Sequence, residues 1–278
     1  MQAPDVSGDD TGSDGTSDGF TELIGRDWMI GPGTFDNYKC TRIQINQEMW
    51  IAGFRALSPM GTHHEILTIS DSAPQLGDYD CTGGNLDIKM LYAAGVDTGD
   101  LMFPAGVAMH IKAGQYLNLN LHLFDTTDTA INGHSGVLAK TIPAAQVTAE
   151  ADMTFAGTTD IAIPPGQHSA TGGCAIPQAW HVFALWPHMH QAAMSQTFKV
   201  NGAMMLDVSP YVFTDQKNYP MAMSFQSGDQ VIVTCNYNNT SGGMLMYGES
   251  ATQEMCFTGM YRYPAPANGT LYDCVTFP

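Results

Sequence analysis

Short runs of alternating hydrophobic and polar residues recur along this chain, and no long amphipathic helical stretch interrupts them. The clearest is Leu117-Asn118-Leu119-Asn120-Leu121-His122-Leu123, in which the leucines share one face and Asn118, Asn120 and His122 the other. Strands are predicted over Tyr38 to Ile45, Met49 to Leu57, Glu65 to Ser70 and Tyr116 to Phe124. A Pro- and Ala-containing connector, Thr141 to Gln146, precedes a second set: Asp160 to Ile163, Trp180 to Leu185, Gln196 to Val200, Gln230 to Tyr237 and Glu254 to Tyr263. Pro165-Gly166, Asn201-Gly202 and Ser227-Gly228 are turn signals between them. The pattern predicts an all-β protein of two tandem antiparallel β-sandwich domains, 21–144 and 145–278.

Composition sharpens this picture. Charged residues make up only 13% of 278, with 29 Gly and 15 Pro, which suits many short strands with tight turns. A net charge of −17 disfavours nucleic acid and anionic membrane surfaces, because binding them needs clustered Lys and Arg. No apolar run approaches the ~18 residues of a membrane span. Residues 1–20, nearly all Gly, Ser, Thr and Asp after the first few, cannot bury a core. They are expected to be a disordered tail, suited to tethering a folded domain after a removed targeting sequence. Six cysteines, Cys40, Cys81, Cys174, Cys235, Cys256 and Cys274, contain no C-x-x-C pair. Their even number points to three disulfides in a secreted or periplasmic protein, with the pairing left open by spacing.

The candidate chemistry is histidine on strands. His188 and His190 follow the Trp180–Leu185 run, and residues two apart on an extended chain point the same way, so both imidazoles can reach one metal. In the first half His63 and His64 are adjacent, and a regular strand would turn them to opposite faces. Serving one metal through both requires a distortion, for which Pro59 and Gly61 provide the means. His122 offers a third imidazole, a set that suits copper or zinc. For His188 and His190 the third candidate is Met255. A methionine beside a cysteine is ordinarily core packing, but two imidazoles with a thioether would select Cu(I) over zinc. His181, by alternation, faces away from His188 and His190. His110, His134 and His168 are expected at the solvated surface.

His63-His64, His122, His188-Met189-His190 and Glu254-Met255-Cys256, in this order, resemble the copper type II, ascorbate-dependent monooxygenases, which include peptidylglycine α-hydroxylating monooxygenase and dopamine β-monooxygenase. Further similarity lies in Ile163-Pro164-Pro165-Gly166, His181-Val182-Phe183-Ala184 and Tyr261-Arg262-Tyr263. The match spans about Tyr38 to Cys274. It implies two jelly-roll-like domains, each holding one copper across a solvent-filled cleft. His63, His64 and His122 would hold an electron-transfer copper; His188, His190 and Met255 would hold the copper where O2 binds and a substrate C–H bond is broken. Disulfides Cys40–Cys81, Cys174–Cys274 and Cys235–Cys256 are implied, as are two coppers per chain, ascorbate as electron donor, O2 and a small-molecule substrate. The chain is expected to be a monomer.

Departures concern the substrate. Where the peptide-hydroxylating branch has an arginine that binds the substrate carboxylate, this chain has Trp186, which cannot form that bidentate pair. Phe257 and Gly259 replace a polar asparagine and a tyrosine, and only Tyr38 agrees with that branch's pocket. A glycine-extended peptide is therefore not the expected substrate. The cross-domain disulfide of that branch has no counterpart, which leaves domain separation less constrained. The alternative is a non-catalytic copper-binding protein, for storage or sensing, on the same scaffold.

Overall fold

The computed structural model describes residues 18–34, 36–84, 86–87, 89–95, 98–250 and 252–278. Of the expected N-terminal tail, residues 1–17 lie outside this set, and Phe20 already begins a strand, Phe20–Ile30. No α-helix forms among the described residues, and none is long and apolar enough to cross a membrane. The predicted connector contains a single 3-10 turn, Ala144–Gln146.

Two sheets form in the first half. One has the order Phe20–Ile30, Ile131–Thr141, Met49–Leu57, Val107–Ile111, Ala149–Glu150; the other runs Gly77–Asp80, Asn37–Gln44, Tyr116–Leu123, Thr62–Ser70, Lys89–Gly95. Apolar inner faces drive them together, with Phe54 of one sheet stacked 5.1 Å from Tyr92 of the other. In the second half, Tyr219–Phe225, Trp180–His188, Cys256–Tyr263, Asp152–Thr158 and Cys274–Thr276 form one sheet. Gly166–Ala175, Gln230–Asn239, Ala193–Val200 and Ala203–Val208 form the sheet against it. Asn201 (φ 50°) and Gly202 (φ 82°) make the two-residue hairpin between the last two, a left-handed pair that matches strand twist. Disulfides Cys174–Cys274 and Cys235–Cys256 each join one sheet of this sandwich to the other, and Cys40–Cys81 pins a first-half strand to a loop.

Several strands escape the periodicity. Phe20–Ile30 is bulged between Glu22 and Ile24, which breaks its alternation. Gly166–Ala175 carries Gly172 and Gly173, poor strand formers, yet pairs along its length with Gln230–Asn239. Leu117, Leu119 and Leu121 are buried as expected, but so are Asn118, Asn120 and His122. The strand is central in its sheet, and its second face is covered: Tyr79 donates its hydroxyl to Asn118 Oδ1 at 2.6 Å, and Asn120 Nδ2 donates to Thr82 O at 2.9 Å.

The halves are packed together, where the resemblance implies a solvent-filled cleft. Phe183, Trp186, Phe257 and Tyr261 of the second half belong to the same apolar core as Phe54, Tyr92 and Phe103 of the first. Phe103 lies 4.8 Å from Phe183, and Tyr261 Oη accepts from Ala93 N at 3.4 Å.

Candidate metal centres and the cavity they share

His63 and His64 open the strand Thr62–Ser70, and the ladder to Tyr116–Leu123 slips between Thr62 and His64. That bulge supplies the distortion adjacent histidines require: an extra residue re-aims one side chain. Gly61, at φ 100°, precedes it and lies so close to Trp28 and Ile131 that a Cβ there would meet both at 2.7 Å. His64 sits directly across from His122, which in turn sits across from Tyr38, so the three share one face. Nδ1 of His63 and Nδ1 of His64 are 3.0 Å apart, and donor atoms of His63, His64 and His122 all lie within 4.8 Å of one another. Tyr38 stacks on His122 at 4.4 Å, and Asp36 Oδ1 lies 3.0 Å from His122 Nε2.

Burial, then the neighbouring imidazoles His122 and His190, pulls His63 down to about 4; the same causes hold His64 well below the usual histidine range. Neutral imidazoles with free lone pairs at neutral pH are what a metal needs. His63 Nε2 and His122 Nδ1 are buried without a hydrogen-bond partner among the described residues. The donor set, three neutral nitrogens in one buried group, fits a copper ion.

In the second half, Met189 turns into the core while His188 and His190 turn away from it. Each imidazole is fixed by a carbonyl: His188 Nδ1 donates to Gln216 Oε1 at 2.8 Å, and His190 Nδ1 donates to Gln253 O at 3.0 Å. Both tautomers therefore leave Nε2 as the lone-pair donor, the arrangement that orients metal-binding histidines. Burial first, then His190, lowers His188 to about 3. Met255 is half-buried, its carbonyl accepting from Tyr237 Oη at 2.8 Å, and its side chain lines one cavity with His188 and His190.

That cavity, of about 60 Å³, is also bordered by His64, Tyr38, Trp186 and Phe257. His64 of the first group and His188 and His190 of the second thus face one space. Its walls are apolar and aromatic, with Glu249 the one carboxylate along them among the described residues. Trp186 stacks on His188 at 4.7 Å and pairs across strands with Gly259, where a Cβ would approach Trp186 Cβ to 3.4 Å and collide with Met153. A small residue at 259 is what lets the indole and Met153 pack there. Phe257 stacks on Phe155 at 5.0 Å, completing an aromatic floor.

The sequence pattern assigns no role to four contributors. Gln216 reaches His188 from a loop 28 residues on, and its carbonyl accepts from Thr98 Oγ1 (2.7 Å) and Gly95 N (3.2 Å) of the first half. Phe213 packs 4.4 Å from His63 and 6.3 Å from His190. Glu254, raised to about 7 by burial, accepts from His190 N at 3.0 Å and Ala192 N at 2.7 Å. Asp36 meets His122. Of the other histidines, His181 faces out and contacts Ser224 Oγ at 2.9 Å. His168 is exposed, and His134 bridges Asp27 and Glu22 at the surface. His110 departs from expectation, stacking on Trp50 at 3.9 Å.

No curated protein matches the chain. Among solved structures, dimeric latent PorU from Porphyromonas gingivalis is similar at 8% identity and a TM-score of 0.21, over 84% of this chain and 25% of that one. The chain thus spans about a quarter of PorU. An anti-sigma factor domain-containing protein is similar at 8% identity and a TM-score of 0.21, over 90% of this chain and 85% of that one. Scores so low carry no argument about fold or function. Residues 149–275, the stretch that holds His188, His190 and Met255, match the model of the copper type II ascorbate-dependent monooxygenase C-terminal domain.

Proposed function

We propose that this chain is a dicopper monooxygenase that hydroxylates a C–H bond of a small, apolar organic molecule, using O2 and a reductant such as ascorbate. The observation that carries the reading is the cavity, in which His188, His190 and Met255 meet an aromatic lining that also includes His64. Copper held by His63, His64 and His122 would supply electrons, and copper held by His188, His190 and Met255 would supply O2 activation. The chain's own residues prepare the site. Gln216 and the Gln253 carbonyl hold the two imidazoles in one tautomer. Trp186, Phe155 and Phe257 exclude water and offer a flat apolar surface to a substrate ring or chain. Among the described residues no arginine lines the cavity, which argues against a substrate anchored by a carboxylate. Three disulfides and the export-like tail fit a secreted or periplasmic enzyme.

The test is a screen of small hydrophobic amines, amides and phenethyl compounds with copper-loaded protein, O2 and ascorbate. Hydroxylated product should form in step with reductant-dependent O2 uptake. Tight copper binding without product from any of these would favour a storage or sensing protein instead.

A further inference from the structure

Solvent-facing apolar side chains of this protein are mostly thioethers. Of the twelve large apolar side chains exposed among the described residues, seven are methionines. A surface methionine gains little from packing and is open to oxidation; what it offers there is a soft donor. Two of the seven, Met244 and Met246, are arranged differently from the rest. They flank Leu245, which packs against the second-half core, while they themselves stand 53% and 51% exposed. Met244 immediately precedes the two-residue strand Leu245–Met246. The exposure of both methionines around the inward-packed Leu245 puts the two thioethers on the solvent side, roughly 7 Å apart along the chain and within the reach of two flexible side chains closing on one ion. The residue paired across from Met246 is Ala162, whose small side chain leaves that face open.

The surroundings select the ion. Thr240 to Gly248 contains no acid, base or histidine, so hard cations and zinc meet only neutral hydroxyl side chains within this stretch. A pair of thioethers alone favours Cu(I). The position selects the purpose. Met246 O accepts from Glu254 N at 3.0 Å, and Glu254 O from Gly248 N at 3.2 Å, so the segment bearing the pair is hydrogen-bonded to the segment bearing Met255. Tyr247, next to Met246, lines the cavity on its inner side.

We infer that Met244 and Met246 form a solvent-facing thioether site that captures Cu(I) from outside the protein and holds it beside the His188, His190 and Met255 centre. The proposed function enters only in naming copper as the ion; capture involves no change of oxidation state.

Metal-free full-length protein carrying 13C-methyl methionine, titrated with Ag(I) as a redox-inert ion of the same charge and softness, tests this. The Met244 and Met246 methyl signals should move together, at silver concentrations about tenfold or more below those that move the solitary exposed Met29 and Met102, because the second thioether binds intramolecularly. Met246→Leu should abolish the early shift at Met244, and Met244→Leu that at Met246, with circular dichroism unchanged. The site is refuted if the two methyls move no earlier than Met29 and Met102, or if the early shift at either survives loss of the other. Met255 reports the inner centre separately. Failure to turn over substrate, or to hold copper at the histidines, would count against the proposed function and leave this measurement standing.

Discussion

At Met255 two roles compete for one side chain. It packs against the first core cluster like any half-buried methionine, and it borders the cavity alongside His188 and His190. Met255→Leu separates them, because leucine keeps the bulk and removes the sulfur. As packing, the swap costs under ~1.5 kcal/mol and little else. As a ligand, it should leave thermal stability nearly unchanged and erase the copper–sulfur contribution from the X-ray absorption of the reduced protein. Turnover should then fall about 100-fold or more. A reduced wild-type spectrum with nitrogen and oxygen neighbours only would end the ligand assignment. What made His188 and His190 legible in the sequence is their spacing of two, which sets both on one side of the chain although the strand Trp180–His188 ends at His188. Gln216 was not legible, because its contact with His188 depends on a loop without periodicity arriving from 28 residues away. His110 was misread because a partner for stacking, Trp50, sits on another strand.

Among the elements, Cys256–Tyr263 carries the most. It pairs with Trp180–His188 on one side and Asp152–Thr158 on the other, is stapled at Cys256 to Cys235, and follows directly on Met255. Near its end Arg262 is wholly buried, bidentate to Asp152 (2.7 and 3.0 Å), bonded to Asp273 at 2.6 Å, and 4.1 Å from the Trp180 ring. Burial pushes Asp152 up even with this partner. In Asp273 the hydrogen bonds from Thr270 and Arg262 outweigh burial and bring it down. Arg262→Met keeps the length, removes the cation and strands two carboxylates, so it should cost ~3–5 kcal/mol in denaturant unfolding. A loss under ~1 kcal/mol would show that the network is dispensable. The strand itself was legible from its aromatic and β-branched run. Its ion network was not, since Asp152 and Asp273 lie 110 and 11 residues from Arg262. Phe20–Ile30 and Gly166–Ala175 were missed at this scale because a bulge in one and two glycines in the other hide the alternation that pairing enforces.

For the whole molecule, the division of labour is a matter of copper count. Loaded with Cu(II), which a pair of thioethers alone does not hold, the purified protein should carry two ions per chain. His122→Ala removes the one imidazole of its group that comes from a different strand, and it should take one copper away and leave the other, as read by metal analysis after dialysis. Loss of both, or a wild type with one, would overturn the two-centre reading. That the all-β class was readable and the closeness of the two groups was not has a plain reason: alternation reports which face of a strand is apolar, not which sheet will cover it. The closeness depends on Phe213–Asn218, a short crossing from the second half to the first. Phe213 leans on His63, Gln216 grips His188 with its side chain and Gly95 and Thr98 with its carbonyl, and Asn218 Nδ2 donates to Ala93 O at 3.2 Å. One loop thus touches both histidine groups and both halves, so a change in its path would disturb His63 and His188 together. The two groups are joined through that loop as the jaws of a clasp are joined through one pin.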